Sequence, residues 1–539
     1  MKDNKKTFLN NTHFVILIPV LVCIFVLAVA LFIRPTEVAA AIESFKNNAL
    51  NTLTPFYLWL GLGVVAFCIF IAMSKYGNVR LGAEKPEFGL FPWIAMMFCA
   101  GMGSSLMYWS AAEWISYVSA PPMGAEPFSQ QAQELAMVYG SYHWGITPWA
   151  FYIVGAIALG VRYYIHKKPE LSLSACCAAV IGEKRVNTLL GRIIDIIFIL
   201  GLLAGQACTL YFGTPMICEI LHRVFGVERS FGLTIVIMCV VTMIFMVTSW
   251  VGLGKGMKNV STYTAYAAIA IAIFFLVAGP TLYELKHSTQ MIGYQLQNFI
   301  EMSTWTDPIG NSGFPEAWTA FYWAWWLALG PWVWVYTVRV SKGRTLRQMI
   351  LGMVICGAAG DWLYFGTVSP TGLWMQNNGI DLVGDQAVNG TESAVATLLE
   401  NMPFGTVLMI VWVLVAVFLL STTYDSVTFT IAATTAKRLG EGEEPNRLYR
   451  LLLALVIIAT PLAFLFADAP LSAVQSAALL TAIPIGVLCI FSIISAIKYL
   501  RKDFGDMSTE QIIQAGKDPL FVPCSVLEEQ GARAAGKEN

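Results

Sequence analysis

Charged residues are scarce in this chain of 539 residues, where Asp, Glu, Lys and Arg supply only 12% against 57% hydrophobic residues. With a mean hydropathy of +0.64, this composition excludes an ordinary soluble protein. The formal net charge is -1, so the chain also lacks the basic excess that a nucleic-acid partner requires.

Motifs of catalysis and metal binding are missing as well. The sequence has five histidines, no His-Glu-x-x-His string and no nucleophile motif, which argues against an enzyme. Its eleven cysteines form no Cys-x-x-Cys pair, and the adjacent Cys176 and Cys177 are a poor framework for a metal or a disulfide. We therefore expect no cofactor, and cysteines that serve as small core residues.

Long apolar runs take the place of polar surface. Each has the roughly 20 residues that a hydrocarbon core of ~30 Å requires, and a single segment in lipid satisfies its backbone groups as a helix. They predict an all-α membrane protein with twelve transmembrane helices. The first run follows three lysines but lacks a clear small-residue cleavage site, so we expect it to be retained. The runs are 14–33, 55–74, 90–110, 138–161, 193–218, 231–251, 262–282, 318–338, 348–372, 404–434, 449–467 and 474–498.

The basic residues indicate how these spans are oriented. If the spans alternate from a cytoplasmic N-terminus, only five of the 33 Lys and Arg residues fall in outside loops. Such a bias is the positive-inside signal, and it supports an even number of spans with both termini cytoplasmic. Those five residues are Arg34, Lys46, Arg223, Arg229 and Lys286.

Two spans carry interruptions, at 100–105 in the third and at 328–331 in the eighth. Glycine and proline weaken a helix, and a broken membrane helix is tolerated where it lines a cavity or is packed in protein. The two spans are five helices apart, the spacing expected for the first helices of two five-helix repeats. Together they predict a substrate site at the centre of the membrane. Alternatively, they are packing notches and a kink.

Tryptophan is abundant, with 17 residues that include two sharp clusters inside spans, at 143–149 and 323–326. In membrane proteins tryptophan usually lies in the headgroup belt, so clusters within spans need another explanation. A quaternary ammonium ion has no hydrogens to donate, but aromatic faces can hold it. Core packing is the alternative.

Four strings resemble the betaine/choline/carnitine transporter family over residues 10–500. This resemblance implies a secondary transporter of trimethylammonium-type substrates such as glycine betaine, carnitine or choline. It also implies a homotrimer in a bacterial cytoplasmic (inner) membrane, with two inverted five-helix repeats (LeuT-like) in helices 3–12. The strings are Gly101-Met102-Gly103, His143-Trp144-Gly145 with Trp149 and Tyr152, the run 318–326, and the run 339–345.

The expected organisation follows from this resemblance. It comprises a cytoplasmic tail (1–13), two peripheral helices (14–89), a first repeat (90–282), an external connection (283–317), a second repeat (318–498) and a cytoplasmic tail (499–539). Regulated relatives carry a long basic tail. The tail of this chain is short and of mixed sign, which disfavours osmosensing and predicts weak order.

The resemblance places the ammonium head in a box of Trp144, Trp149, Tyr152 and Trp326. Trp149 and Tyr152 are three residues apart, a spacing that puts them on one helix face. Other aromatic residues are less specific. Trp318 and Trp323 are equally consistent with packing, and Trp325 is expected on the access path. Leu329 stands where relatives carry an aromatic residue, and Trp332 is the candidate replacement.

The break in the third span is also a candidate site for a substrate carboxylate. Its free N–H groups near Met102, with the hydroxyls of Ser104 and Ser105, suit an anion. By resemblance, a sodium ion would bind the carbonyls of Cys99, Met102 and Leu419 with the hydroxyls of Thr422 and Thr423. Alternatively, the threonine hydroxyls bond to the backbone one turn back.

Two features of the sequence bear on whether transport is coupled to sodium. The sodium-independent carnitine exchanger has an arginine and a methionine where this chain has Thr264 and Val333, and the absence of both favours the binding of a real cation in this chain. Residues 121–127 and 182–184, however, look more like that exchanger. Sodium symport is therefore the leading prediction and substrate exchange the alternative. Acids within spans are functional candidates, although Asp361 is expected to be structural rather than a proton carrier. These acids are Glu113, Asp195, Glu219, Asp361 and Asp425.

Overall fold

The computed structural model describes residues 11–82, 85–466 and 471–534. Within these ranges all regular structure is helical, and the only β contacts are isolated bridges, Thr12 with Ala436 and Arg80 with Thr345. The predicted all-α membrane class is thus confirmed.

The helices are long in the membrane and short at the breaks and ends. In chain order they are α1 (Phe14–Ile33), α2 (Pro35–Met73), α3 (Leu90–Gly101), α4 (Ser105–Ser119), α5 (Gln130–His143), α6 (Ile146–Phe151), α7 (Val154–Gly160), α8 (Leu173–Cys176), α9 (Ala178–Ile181), α10 (Leu189–Phe225), α11 (Phe231–Val251), α12 (Lys258–Ala278), α13 (Thr281–Thr304), α14 (Phe321–Val340), α15 (Leu346–Phe365), α16 (Val368–Asn377), α17 (Leu382–Asn389), α18 (Thr391–Glu400), α19 (Gly405–Thr434), α20 (Arg447–Phe466), α21 (Leu471–Leu479), α22 (Ala482–Phe504), α23 (Thr509–Ala515) and α24 (Cys524–Ala534).

Eleven of the predicted spans have a counterpart that is long and apolar enough to cross a membrane. In the described residues ten helices meet this condition, and the bent pair α3 and α4 supplies one more. The predicted eighth span coincides with α14, which is 20 residues long and rich in tryptophan. Nearly all of its side chains are buried in the protein, so α14 does not need the apolar surface that faces lipid. The count of twelve stays a prediction.

The third span breaks where the sequence predicted. Helix α3 ends at Gly101 and α4 begins at Ser105, with a bend of 57° between them. Gly103 in the break has a φ of +56°, and a Cβ there would lie 2.8 Å from the Thr423 hydroxyl oxygen. Both the conformation and the close approach favour glycine at this position.

The second break lies in the fourth span rather than the eighth. Helix α14 runs through Gly330 and Pro331 without interruption and follows a π-helical turn at Pro315–Ala320. The fourth span is divided into α5, α6 and α7, with Trp144 and Gly145 between the first two. The breaks at 102–104 and 144–145 therefore both belong to the proposed first repeat.

The connection and the C-terminal stretch are more structured than their polarity suggests. The connection contains the 24-residue helix α13. In the tail, α23 and α24 pack on the membrane domain, and Ile512 is fully buried. Lys75 donates from Nζ to the carbonyls of Gly505 (2.6 Å) and Met507 (2.8 Å), which fixes the start of the tail beneath α2. The weak order expected there is not found up to residue 534.

Candidate functional site

A cavity lies where the break of α3 and α4 meets α5, α6, α10, α14, α19 and α21. Its enclosed volume is about 40 Å³, below that of typical sites for small molecules, so the walls lie close together in this conformation. Its walls combine aromatic rings with neutral polar groups. They are formed by Gly101, Met102, Ser105, Trp109, Trp144, Tyr152, Gln206, Thr209, Phe321, Tyr322, Trp325, Trp326, Leu329, Trp332, Thr423 and Gln475.

Four rings, which we call the aromatic cage, surround one part of this cavity: Trp144, Tyr152, Tyr322 and Trp326. The centroid of the Trp326 ring lies 5.0 Å from that of Trp144 and 5.7 Å from that of Tyr152, both nearly perpendicular to it. Tyr322 lies 5.8 Å from Trp326 and nearly parallel to it. The fourth-span and eighth-span residues of the predicted box thus meet across the cavity.

Trp149, the fourth member of the predicted box, lies outside the cavity wall. Its ring stacks on Phe98 at 5.7 Å and meets the edge of Tyr152 at 5.9 Å. Its indole Nε1 donates to Asp361 Oδ2 at 2.8 Å. Gly357 packs so closely that a Cβ there would lie 2.2 Å from the Trp149 ring. Trp149 therefore supports Tyr152 from behind.

The remaining predicted aromatic positions divide into two groups. Trp325, Leu329 and Trp332 line the cavity. Trp318 lines a neighbouring outer cavity and packs on Tyr117 at 4.6 Å. Trp323 does not line the cavity and packs against Tyr142 and His143.

Hydrogen bonds inside the protein fix the orientation of the cage indoles. Trp144 Nε1 donates to Glu113 Oε2 at 2.9 Å, and Trp326 Nε1 donates to the His143 carbonyl at 3.0 Å. Glu113 also accepts from the Tyr117 hydroxyl, which in turn contacts His143 Nδ1 at 2.8 Å. Because the polar edge of each indole is already bonded, its face is free to meet a cation.

The polar part of the wall was missed by sequence analysis. Gln206 and Thr209 come from α10, and Gln475 comes from α21. Each is an isolated polar residue in an apolar span, and such residues are a weak but usable signal of function. Among the described residues, no charged side chain lines the cavity. A ligand here therefore meets ring faces and neutral hydrogen-bonding groups.

The broken third span contributes only part of the predicted anion site. Met102 and Ser105 line the cavity. Ser104 is fully buried and points towards α10, where its hydroxyl lies 3.1 Å from the position of a Cβ on Gly213. Its hydroxyl has no hydrogen-bond partner among the described residues.

The candidate sodium residues are in two different situations. The Thr423 hydroxyl donates across the helix interface to the Cys99 carbonyl at 3.0 Å, beside Met102 in the cavity wall. The Thr422 hydroxyl donates to the Leu419 carbonyl of its own helix at 2.9 Å, the local bond expected of a threonine in a membrane helix. The structure thus brings Cys99, Met102 and Thr423 together.

A second, outer cavity adjoins the first. The two have Trp109, Phe321, Tyr322 and Gln475 in their walls in common. The outer cavity is also lined by Trp318 and by residues of α2 that include Lys46.

Comparison with known proteins agrees with this architecture. A family model described as the betaine/carnitine/choline family transporter matches residues 14–505. The transporter YeaV of Escherichia coli is 33% identical over 454 residues, 84% of this chain and 94% of YeaV. A carnitine transporter of Acinetobacter baumannii is 30% identical, over 98% of this chain and 96% of its own. The glycine betaine transporter OpuD of Bacillus subtilis is 31% identical, over 89% and 93% of the two chains.

Proposed function

The chain belongs to the betaine/carnitine/choline family of transporters, and we propose that it imports a substrate whose trimethylammonium head binds in the aromatic cage. The observation that carries the proposal is the convergence on one cavity of four rings, two from the fourth span and two from α14. Relatives named as carnitine and glycine betaine transporters support the same substrate class.

The physical basis is the match between the cage and a methylated nitrogen. Such a head group cannot be recognised by hydrogen bonds, but each aromatic face contributes about 1–2 kcal/mol to holding a desolvated cation. Four faces together offset much of the cost of removing water from the ion. Primary ammonium ions would lose hydrogen bonds to water and find few acceptors here, so they should bind less well.

We further propose that sodium drives import. The supporting observation is the meeting of the Thr423 hydroxyl, the Cys99 carbonyl and Met102 beside the cavity. Oxygen ligands at a helix break suit a small hard cation, and an ion here would contact the same broken helix that borders the substrate cavity. Binding of sodium would then stabilise the conformation that accepts substrate.

Exchange of substrate for product without sodium is the second candidate. It is favoured by residues 121–127 and 182–184, which resemble the carnitine exchanger, and by the local bond of Thr422. In both mechanisms the two termini lie in the cytoplasm of a bacterial cell, an orientation that the distribution of Lys and Arg supports.

Transport by purified protein in liposomes tests these proposals. Uptake of glycine betaine, choline, carnitine and γ-butyrobetaine would be measured with and without an inward sodium gradient, in empty and in substrate-loaded vesicles. Symport predicts uptake that requires the gradient and not the internal substrate. Exchange predicts uptake that requires the internal substrate and not the gradient. Uptake of none of the four compounds under any condition would refute the proposed substrate class.

A further inference from the structure

One residue of the cavity wall carries a buried acceptor without a partner. Gln206, in the middle of α10, is only 2% exposed, yet it belongs to the cavity wall. Its side-chain oxygen Oε1 is buried and has no hydrogen-bond partner among the described residues. Buried acceptors are rarely left in this state, because each unmade hydrogen bond costs free energy. A ligand is the natural source of the missing donor.

Neighbouring contacts place Gln206 relative to the cage. The preceding residue, Gly205, packs on Leu329, since a Cβ there would lie 2.6 Å from that side chain. Leu329 follows Trp326 by three residues, about one helical turn along α14. Gln206, the residue after Gly205, therefore lies close to the level of Leu329, about one turn of α14 from Trp326.

The position of Gln206 is fixed by its surroundings. Its backbone carbonyl accepts a hydrogen bond from the Tyr424 hydroxyl on α19. Thr209, three residues further along α10, lines the same cavity, and its hydroxyl is held by the Gly205 carbonyl at 3.4 Å. The side chains of Gln206 and Thr209 therefore share one helix face towards the ligand.

The missing partner must be a donor, and this requirement restricts the substrate. A trimethylammonium group has no N–H, and an ionised carboxylate only accepts hydrogen bonds. Neither end of a simple betaine could therefore satisfy Gln206 Oε1. A hydroxyl between the two ends could. In choline and in carnitine the hydroxyl is two carbons from the nitrogen, a separation compatible with one helical turn.

We infer that Gln206 recognises a substrate hydroxyl two carbons from the ammonium nitrogen, and so makes the transporter selective for hydroxylated methylammonium compounds. The inference rests on the proposed function, since it assumes that the head group occupies the cage. A site built to bond a substrate hydroxyl rejects the analogue without it strongly, because the buried acceptor is then left unpaired.

Matched ligand pairs test this inference. Binding to the purified full chain would be followed by intrinsic tryptophan fluorescence. One pair is choline and ethyltrimethylammonium, and the other is L-carnitine and γ-butyrobetaine. In each pair only the hydroxyl differs. We expect the unaltered protein to bind the hydroxylated member of each pair about tenfold more tightly. Equal binding within both pairs would overturn the inference without any mutation.

Substitution then assigns the preference to one side chain. Gln206→Met keeps the length of the side chain and removes the acceptor, so the preference should fall to about twofold or less. Gln475→Met is the matched control, because Gln475 lines the same cavity but is only half-buried. It should keep the preference. A preference that persists in Gln206→Met, or is lost equally in both variants, would contradict the assignment.

Tetramethylammonium, which is a head group without a tail, separates this inference from the proposed function. If the protein binds tetramethylammonium but does not distinguish the members of either pair, the proposed cage stands and the hydroxyl inference is refuted. If it binds none of the five compounds, both the proposed function and the inference are refuted.

Discussion

The aromatic cage and the candidate sodium position at Thr423 adjoin the same cavity but are prepared for their ligands to different degrees. In the cage, the indole N–H groups of Trp144 and Trp326 are bonded to the protein, so the ring faces stay in place without a ligand. At the sodium position, the Thr423 hydroxyl and the Cys99 carbonyl are bonded to each other. An ion must replace that bond. The cage is preorganised. At the sodium position, by contrast, the binding free energy is only the difference between the contacts of the ion and the bond that it replaces.

The largest effect should come from removing the central ring of the cage. Trp326→Leu keeps apolar bulk but removes the face that meets three other rings, so uptake of the preferred ammonium substrate should fall about 100-fold. Trp323→Leu, on the same helix but outside the cavity wall, is the control and should transport within about threefold of the unaltered protein. Similar losses in both variants would mean that the cage contributes nothing beyond packing.

A smaller effect is expected at the sodium position. Thr423→Val is isosteric and removes the hydroxyl, so sodium-driven uptake should fall about tenfold and require more sodium for half-saturation. Thr422→Val removes a hydroxyl that is bonded within its own helix, and the change should be about threefold or less. The sodium dependence of initial uptake rates distinguishes the two. Unchanged sodium dependence in Thr423→Val would show that this hydroxyl is not a sodium ligand.

The break between α3 and α4 joins the two regions, and Gly103→Ala probes it. The positive φ of Gly103 and its contact with Thr423 leave no unstrained place for a methyl group, so stability should fall by about 1–2 kcal/mol. Gly63, around which a Cβ would meet nothing within 4 Å, is the control position for alanine. Thermal unfolding in detergent gives the comparison. Equal melting temperatures for Gly103→Ala and Gly63→Ala would show that the break tolerates a side chain.

The smallest effect on transport is expected behind the cage. Trp149→Phe keeps the stacking on Phe98 but leaves the buried Asp361 without its indole donor. Stability should fall by about 1–3 kcal/mol, with uptake within about threefold. Adding Asp361→Leu removes the unpaired carboxylate and should restore much of the stability. If the double variant is no more stable than Trp149→Phe, the carboxylate has another partner and our account of Trp149 is wrong.

The sequence predicted the family and the all-helical membrane fold because length, hydropathy and tryptophan strings are local features that need no tertiary structure. It was less informative about the direction of side chains. Trp149 and Tyr152 were expected on one helix face, and both rings pack beside Gly101, but only Tyr152 lines the cavity. A spacing rule identifies a shared face and not which of its residues borders a cavity.

The polar wall shows a different limit of sequence analysis. Gln206 and Thr209 come from one span and Gln475 from another, so only packing brings the three to one cavity. Tyr322 could have been found, since it precedes Trp326 by four residues and therefore shares its face. The prediction of a break at Gly330 and Pro331 was wrong because it too depended on packing that the sequence does not show. A proline inside a fully packed helix loses one hydrogen bond without forcing the chain apart.

The bond from Trp326 to the His143 carbonyl joins α14 to the end of α5, helices that the repeat hypothesis assigns to opposite halves of the protein. Any rocking of one half against the other would stretch this bond and separate the rings on either side of it. Substrate release would then need no separate step, because the movement that opens a path would also weaken the binding of the cation.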